Sequence, residues 1–373
     1  MDNVLKKDGT GRIIWLDAAR CLAIVSISLN HAVGRSYAVY ENAWLEFGSI
    51  PLWSTLFKTV VYVFSRLGVP LFLMITGALI LKKRIETADD VKRFYKKSYL
   101  PLFITSEIWM ALFFAALVVS NPYSRHQSLI LTLKFFICTM LQIEPLTMGS
   151  MWYIPMILCL YLFLPFMAML KGRINGKVLY PVGGAVLFYC FLLPTANLFL
   201  QAIGHSTFSK ASDIILLSEY ALYAVVGYFI STGCMAKIKT VWVALGAAIS
   251  FVLSVLTQLF FFHSTAEVTV RYDFIGTLIC SVFLFEWLRR TFAQVKRGAG
   301  AFTALSRMAF GIYFVHILIM KTLCMAQFSA VRAVLPQPVF LLYLELVSFL
   351  GSVVVVWLLS KIPHVGKVLF LYK

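Results

Sequence analysis

Arg20 and His31 stand eleven positions apart in the apolar run Arg12 to Gly34, RIIWLDAARCLAIVSISLNHAVG. On a helix, eleven positions make about three turns, so the two side chains fall within roughly 20° of one face. Asp17 lies about 60° from Arg20 on the same side. The rise from Arg20 to His31 is about 16 Å. With Arg20 at one membrane surface, His31 reaches the middle of the hydrocarbon. An ionisable group at that depth is costly in lipid and points to function. A buried imidazole can take a proton from a nucleophile or act as a nucleophile itself. It can equally be a neutral ring hydrogen-bonded between helices, and spacing does not choose between these readings.

Other stretches carry charge where a plain membrane protein would not. The segment KKRIETADDVKRFYKK crowds Lys82, Lys83, Arg84, Lys92, Arg93, Lys96 and Lys97 together. Such density suits a lipid-headgroup patch or a phosphate-rich ligand, and Arg93 and Lys97 project together at helical spacing. There is no GxxxxGK and no GxGxxG, so a nucleotide-hydrolysing loop is not indicated. LSRMAFGIYFVH places His316 within a late span, with Arg307 at its start. His316 is open to two readings, a second catalytic group or a helix–helix hydrogen bond. Glu107, Glu219 and Glu345 also fall within spans, where each needs a cation or water. RLGVPLFLMITGALI carries Gly68, Pro70 and Gly77, which permit either close helix packing or a break that lines a cavity.

The elements that must position these groups are membrane helices. The chain has 373 residues, is 61% hydrophobic and has a mean hydropathy of +0.86. These values, with long uncharged runs throughout, predict an all-α, polytopic membrane bundle. The polar start and a first apolar run containing Asp17 and Arg20 argue against a cleavable leader. A net charge of +17 reads as membrane topology plus attraction to an anionic ligand or lipid, not as nucleic-acid binding. The seven cysteines are scattered without a CxxC pair, and the six histidines lack ligand spacing, so neither disulfides nor a metal site is expected.

Ten spans are predicted, at 14–37, 56–81, 98–120, 151–170, 179–200, 214–233, 241–262, 271–290, 304–324 and 338–360. The run 129–142 is too short to cross and contains Lys134, so it is expected to be an interfacial or re-entrant helix. With it excluded, 24 of the 33 Lys and Arg fall on one side together with both termini. The positive-inside rule makes that side cytoplasmic. No linker or repeat marks a boundary, which predicts a single membrane domain over 1–373 with its core at 12–361. Tyr37, Tyr40, Trp44, Trp53, Trp152 and Tyr153 gather at the opposite ends. They form either an aromatic belt or a stacking platform for a sugar or lipid head.

Taken in order, Arg20 with His31, GVPLFLMITG, KRFYKK, MWYIPMILCLYLFLP and SRMAFGIYFVH give a chain that resembles the acyltransferase-3 family of integral membrane O-acyltransferases. The resemblance covers nearly the whole sequence and is greatest to the stand-alone, surface-polysaccharide type. It implies an acyl group, usually acetyl, taken from acyl-CoA at the cytoplasmic face and passed to a sugar hydroxyl of an envelope polysaccharide or lipid-linked glycan. The family's arginine–histidine pair carries over onto Arg20 and His31. Its basic motif carries over onto Arg93 and Lys96, where lysine keeps the charge but loses the bidentate fork. The late histidine carries over onto His316. The absence of a hydrolase-like domain after the last span implies direct transfer or a separate partner protein.

On this basis His31 is the expected general base, Arg20 and Asp17 complete the catalytic set, and Arg20, Arg84, Arg93, Lys96 and Lys97 meet the phosphates of acyl-CoA. His316, Arg307 and Glu107 form a possible second site, and no metal is expected. The expected location is the inner, cytoplasmic membrane of a bacterium, among membrane lipids. A transporter or flippase for a lipid-linked glycan is the alternative, since broken spans and buried charges suit it as well. That alternative gives no reason for the Arg20–His31 spacing.

Overall fold

The computed structural model describes residues 12–37, 50–120, 129–140, 151–171, 176–208, 218–264, 268–295, 298–325, 331 and 334–371. Tyr40, Trp44, the centre of KGRINGK and residues 214–217 of the sixth predicted span lie outside them. All regular structure among the described residues is helical. The helices are α1 Ile14–Ser36, α2 Leu52–Ser65, α3 Gly68–Ile80, α4 Ala88–Phe94, α5 Leu100–Ser120, α6 Leu129–Met140 and α7 Tyr153–Leu170. They continue with α8 Gly176–Leu187, α9 Leu193–Ala202, α10 Glu219–Ser231, α11 Thr240–His263, α12 Ile275–Phe292 and α13 Ala299–Met325. The last two are α14 Gln337–Ser360 and α15 Val365–Phe370. Single π-helical turns at Tyr95–Tyr99 and Phe188–Leu192 join α4 to α5 and α8 to α9.

Eight described stretches are long and apolar enough to cross a bilayer: Ile14–Ser36, Leu52–Ile80, Ala88–Ala116, Tyr153–Leu170, Pro181–Ala202, Thr240–His263, Ala299–Lys321 and Gln337–Ser360. The sequence predicted ten. The other two predicted spans contain α10, with only 13 described helical residues, and α12, which carries Glu286, Arg289 and Arg290. The 12-residue α6 extends about 18 Å, well short of a hydrocarbon core.

The chain divides into two compact units, Met1–Lys83 with Leu170–Val353, and Arg84–Met169 with Val354–Lys373. In the first, α1 and α2 form an antiparallel hairpin. Ser26 Oγ donates to the carbonyls of Phe64 (3.0 Å) and Ser65 (3.1 Å), while Tyr37 and Ser54 hydroxyls meet at 3.1 Å towards its other end. The break in the second span falls at Arg66 and Leu67, whose amides bond three residues back to Val63 and Phe64 at 3.1 Å. Pro70 then occupies the first turn of α3, where its missing N–H costs little. Gly77 on α3 and Gly227 on α10 let two backbones touch, for a Cβ on either would overlap the facing main chain. In lipid, where apolar burial gives little drive between helices, such close approach is a main source of cohesion.

Glu286 is fully buried and takes a two-pronged contact from Arg289, with Nε and Nη2 at 2.7 Å. Arg290 adds a third bond to Glu286 and reaches the carbonyls of Met235 and Ile238, each at 2.7 Å. The charges that make α12 less apolar than its neighbours therefore fasten it to the segment before α11. Lys82 Nζ donates to the Ser231 carbonyl at 3.3 Å, and burial, with Lys171 and Arg289 nearby, lowers its pKa. It belongs to this unit's packing.

In the second unit, Thr87 caps α4 through a capping box with Asp90. Tyr95 donates to the Leu162 carbonyl at 2.8 Å, joining the π turn to α7. The short α15 docks on α5 through Thr105 Oγ1 to Val368 O (2.7 Å) and Trp109 Nε1 to Leu369 O (2.8 Å).

Candidate active site

Helices α1 and α13 carry the site residues of the first unit and run parallel. Near their starts, Asp17 meets Ser306; further along both, His31 meets His316. Helices that run the same way can pair residues in matching order, as these two do.

At the first level Asp17 is 1% exposed and saturated with donors. Arg12 grips both its oxygens, Nε to Oδ2 at 2.9 Å and Nη2 to Oδ1 at 2.7 Å. Arg20 Nη1 donates to Oδ1 at 3.0 Å, Ser306 Oγ at 2.7 Å and Thr303 Oγ1 to Oδ2 at 3.3 Å. A buried carboxylate with two guanidiniums and two hydroxyls is held in one geometry. The Arg12 and Arg20 side chains remain 26% and 23% exposed, so one edge of this cluster faces outward. Asp17 thus holds Arg20 by an ion pair between neighbours on one helix. Arg12, Ser306 and Thr303 were not singled out in the sequence: Arg12 looked like a flanking charge, and the hydroxyls lie nearly 290 residues away. Arg307 follows Ser306 on α13, is half-buried, and its Nε has no hydrogen-bond partner among the described residues.

Replacing Asp17 by Asn removes the charge that both guanidiniums share. Breaking a fully buried pair costs about 3–5 kcal/mol. With both arginines about a quarter exposed, a loss of about 2–3 kcal/mol is expected, read as a lower thermal midpoint of the purified protein.

At the second level the His31 and His316 rings lie 5.4 Å apart, centroid to centroid, tilted by 37°. His316 is fully buried. Its Nδ1 lies 2.7 Å from the Ile312 carbonyl, so Nδ1 carries the proton and Nε2 presents its lone pair. Nε2 has no hydrogen-bond partner among the described residues. The hydrogen bond of His316 is thus to its own helix, and its contact with α1 is ring to ring. His31 is half-buried and keeps some accessible surface.

The remaining predicted residues fall as follows. Arg84, Arg93, Lys96 and Lys97 belong to the second unit and are exposed. Arg84 pairs with Glu86 at 2.7 Å and Arg93 with Asp90 at 3.5 Å, both in the open where such pairs hold weakly. Glu107 is on α5 of that unit, whereas His316 and Arg307 are on α13 of the first. Glu345 takes a hydrogen bond from Ser28 at 2.8 Å, a hydroxyl where the sequence suggested a cation or water. Glu219 sits beside Tyr220, with Asp273 and Arg271 in electrostatic reach. Among the described residues, no three of His, Cys, Asp or Glu gather as a metal site would require.

These features define a multi-pass helical membrane protein with an ionisable interior strung along two parallel helices. The chain matches the acyltransferase domain family, Acyl_transf_3, over residues 13–361, nearly its whole length, and belongs to that family. It is a membrane acyltransferase. Neither the curated proteins nor the solved structures compared with it gave a match.

Proposed function

We propose that the protein moves a short acyl group, acetyl in the simplest case, from cytoplasmic acyl-CoA to a hydroxyl of an envelope polysaccharide or lipid-linked glycan. The place of action is the bacterial cytoplasmic membrane. The observation that carries this is the two-level arrangement on α1 and α13, a guanidinium cluster at one level and a histidine pair about 16 Å further along.

Coenzyme A is a poly-phosphate head on a long flexible arm. Its phosphates stay at the charged surface, where Arg20, fixed by Asp17, offers a donor of permanent charge. The arm enters between helices and brings the thioester to His31. The acceptor hydroxyl arrives from the opposite end of α1. His31 removes the hydroxyl proton as the oxygen attacks the thioester carbonyl, and a C–O bond forms. The tetrahedral intermediate collapses with cleavage of the C–S bond. The imidazolium then protonates the departing thiolate, so free coenzyme A and an O-acyl glycan result. His316, locked by its bond to Ile312, keeps the neighbouring ring in place.

The exposed basic face of the second unit, with Arg84, Arg93, Lys96 and Lys97, is proposed as a phosphate-binding surface in its own right. Each assignment has its own test in steady-state kinetics. Arg20→Ala is expected to raise the apparent KM for acyl-CoA about 10- to 100-fold, the value of one or two charge-assisted bonds, with kcat far less affected. Arg93→Ala is expected to raise it about 2- to 10-fold, because its side chain is 66% exposed. Unchanged donor dependence in both variants excludes the phosphate assignments.

A further inference from the structure

Beyond His31, α1 continues to Arg35, one turn further from Arg20. Arg35 lies in electrostatic reach of His31, His316 and Lys321, and Arg66 reaches His31 in the same way. Arg66 is only 7% exposed, at the break between α2 and α3. Its Nη2 donates to the Tyr62 hydroxyl at 2.7 Å, and its guanidinium lies 4.4 Å from the Tyr62 ring centre and 5.4 Å from that of Tyr272. Tyr62 is anchored to the Val270 carbonyl at 3.2 Å, and the Tyr272 carbonyl is held by the Tyr223 hydroxyl at 2.8 Å. Tyr313, 6.4 Å from His316 ring to ring, completes an aromatic surround.

Among the described residues, Asp273 pairs with Arg271 at 2.6 Å and Glu345 accepts from Ser28 at 2.8 Å. Among the described residues neither Arg35 nor Lys321 forms an ion pair. Positive-inside topology does not explain these cations, because they lie at the end of α1 away from the basic loops. Cations kept within a membrane protein mark the path of something negative.

We propose that the acceptor bound beside His31 carries an anionic oxygen group, phosphate or carboxylate, held by Arg35 and Arg66, with Tyr272 and Tyr313 flanking its sugar. The proposal rests on the O-acyl transfer reading for the word acceptor, but the anion site stands on its own contacts. Phosphate points to a lipid-linked sugar, and carboxylate to an acidic glycan. Both fit a planar guanidinium fork.

The test is equilibrium binding of labelled probes to the full-length protein in detergent. Farnesyl diphosphate is set against farnesol, and glucuronate against glucose. At least one anionic probe is expected to bind ten-fold or more tighter than its neutral counterpart. Arg35→Gln and Arg66→Gln should each weaken that probe about 10- to 100-fold, with partial recovery in the corresponding Arg→Lys variants. Preference for the diphosphate alone, the uronate alone or both supports the site and assigns its chemistry. Equal binding of charged and neutral probes overturns it, and so do glutamine variants that bind like wild type. Should the glutamine variants fail to fold, the Arg→Lys variants decide, with excess coenzyme A present to fill the phosphate sites proposed for the donor: a lysine variant that binds the anionic probe no more weakly than wild type overturns the site. His31→Ala separates the two claims, because anion binding should persist in it even where acyl transfer is lost.

Discussion

His31→Ala is expected to lower kcat for acyl transfer by about 100- to 10,000-fold, the usual worth of a positioned general base. The protein itself should remain folded. His31 is half-buried, its ring contact among the described residues is to His316, and Asp17 at the centre of the ion cluster is about four turns away. Alanine at this position removes a reacting group and little packing. A thermal midpoint near that of wild type, together with a collapsed rate, is the signature expected. His31→Gln should be as inactive as His31→Ala, because an amide fills space but cannot take a proton. Wild-type-like turnover in either variant removes the base from the mechanism.

Gly77→Ala and Gly227→Ala are expected to prevent accumulation of a stable fold. A methyl group on Gly77 would occupy the place of the Ala224 backbone, and one on Gly227 that of Met74. Flexible side chains can step aside, but a facing main chain moves only if α3 and α10 separate. Overpacking against side chains costs about 1–3 kcal/mol, and against backbone the cost should reach or exceed the upper end. In a membrane protein that separation also gives up the close contact on which the helices depend. The internal control is Gly184→Ala on α8, where nothing lies within 4 Å of the new methyl and helix propensity favours alanine. Thermal midpoints and yields of monodisperse protein read the difference: severe loss at 77 and 227, and no loss at 184. Equal behaviour at all three positions would contradict the packing described for α3 and α10.

Much of α1 was legible from residue types alone, because a helix fixes which side chains share a face. The alignment of Asp17, Arg20 and His31 needed only 3.6 residues per turn. The partners of those residues were not legible. Ser306 and Thr303 are ordinary hydroxyls in an apolar run, and only the parallel course of α1 and α13 gives them to Asp17. Arg66 was overlooked for another reason. The glycines and proline after it drew attention as packing or breaking residues, whereas the break falls at Arg66 and Leu67, and Pro70 sits in the first turn of the next helix. The short apolar run with Lys134 is too brief to cross a bilayer, and α6 covers its first 12 residues. The basic loop was harder, since a string of lysines does not show which of them fold inward. Lys82 packs with the first unit, while Arg93 stands exposed beside Asp90.

The most direct test of the central claim is free-thiol release by the purified protein reconstituted with acetyl-CoA and extracted envelope glycan. We expect one thiol released for each O-acetyl group found on the glycan by mass spectrometry, and neither when His31→Ala replaces wild type. Movement of the glycan across the bilayer with no thiol released would contradict acyl transfer and make the chain a transporter.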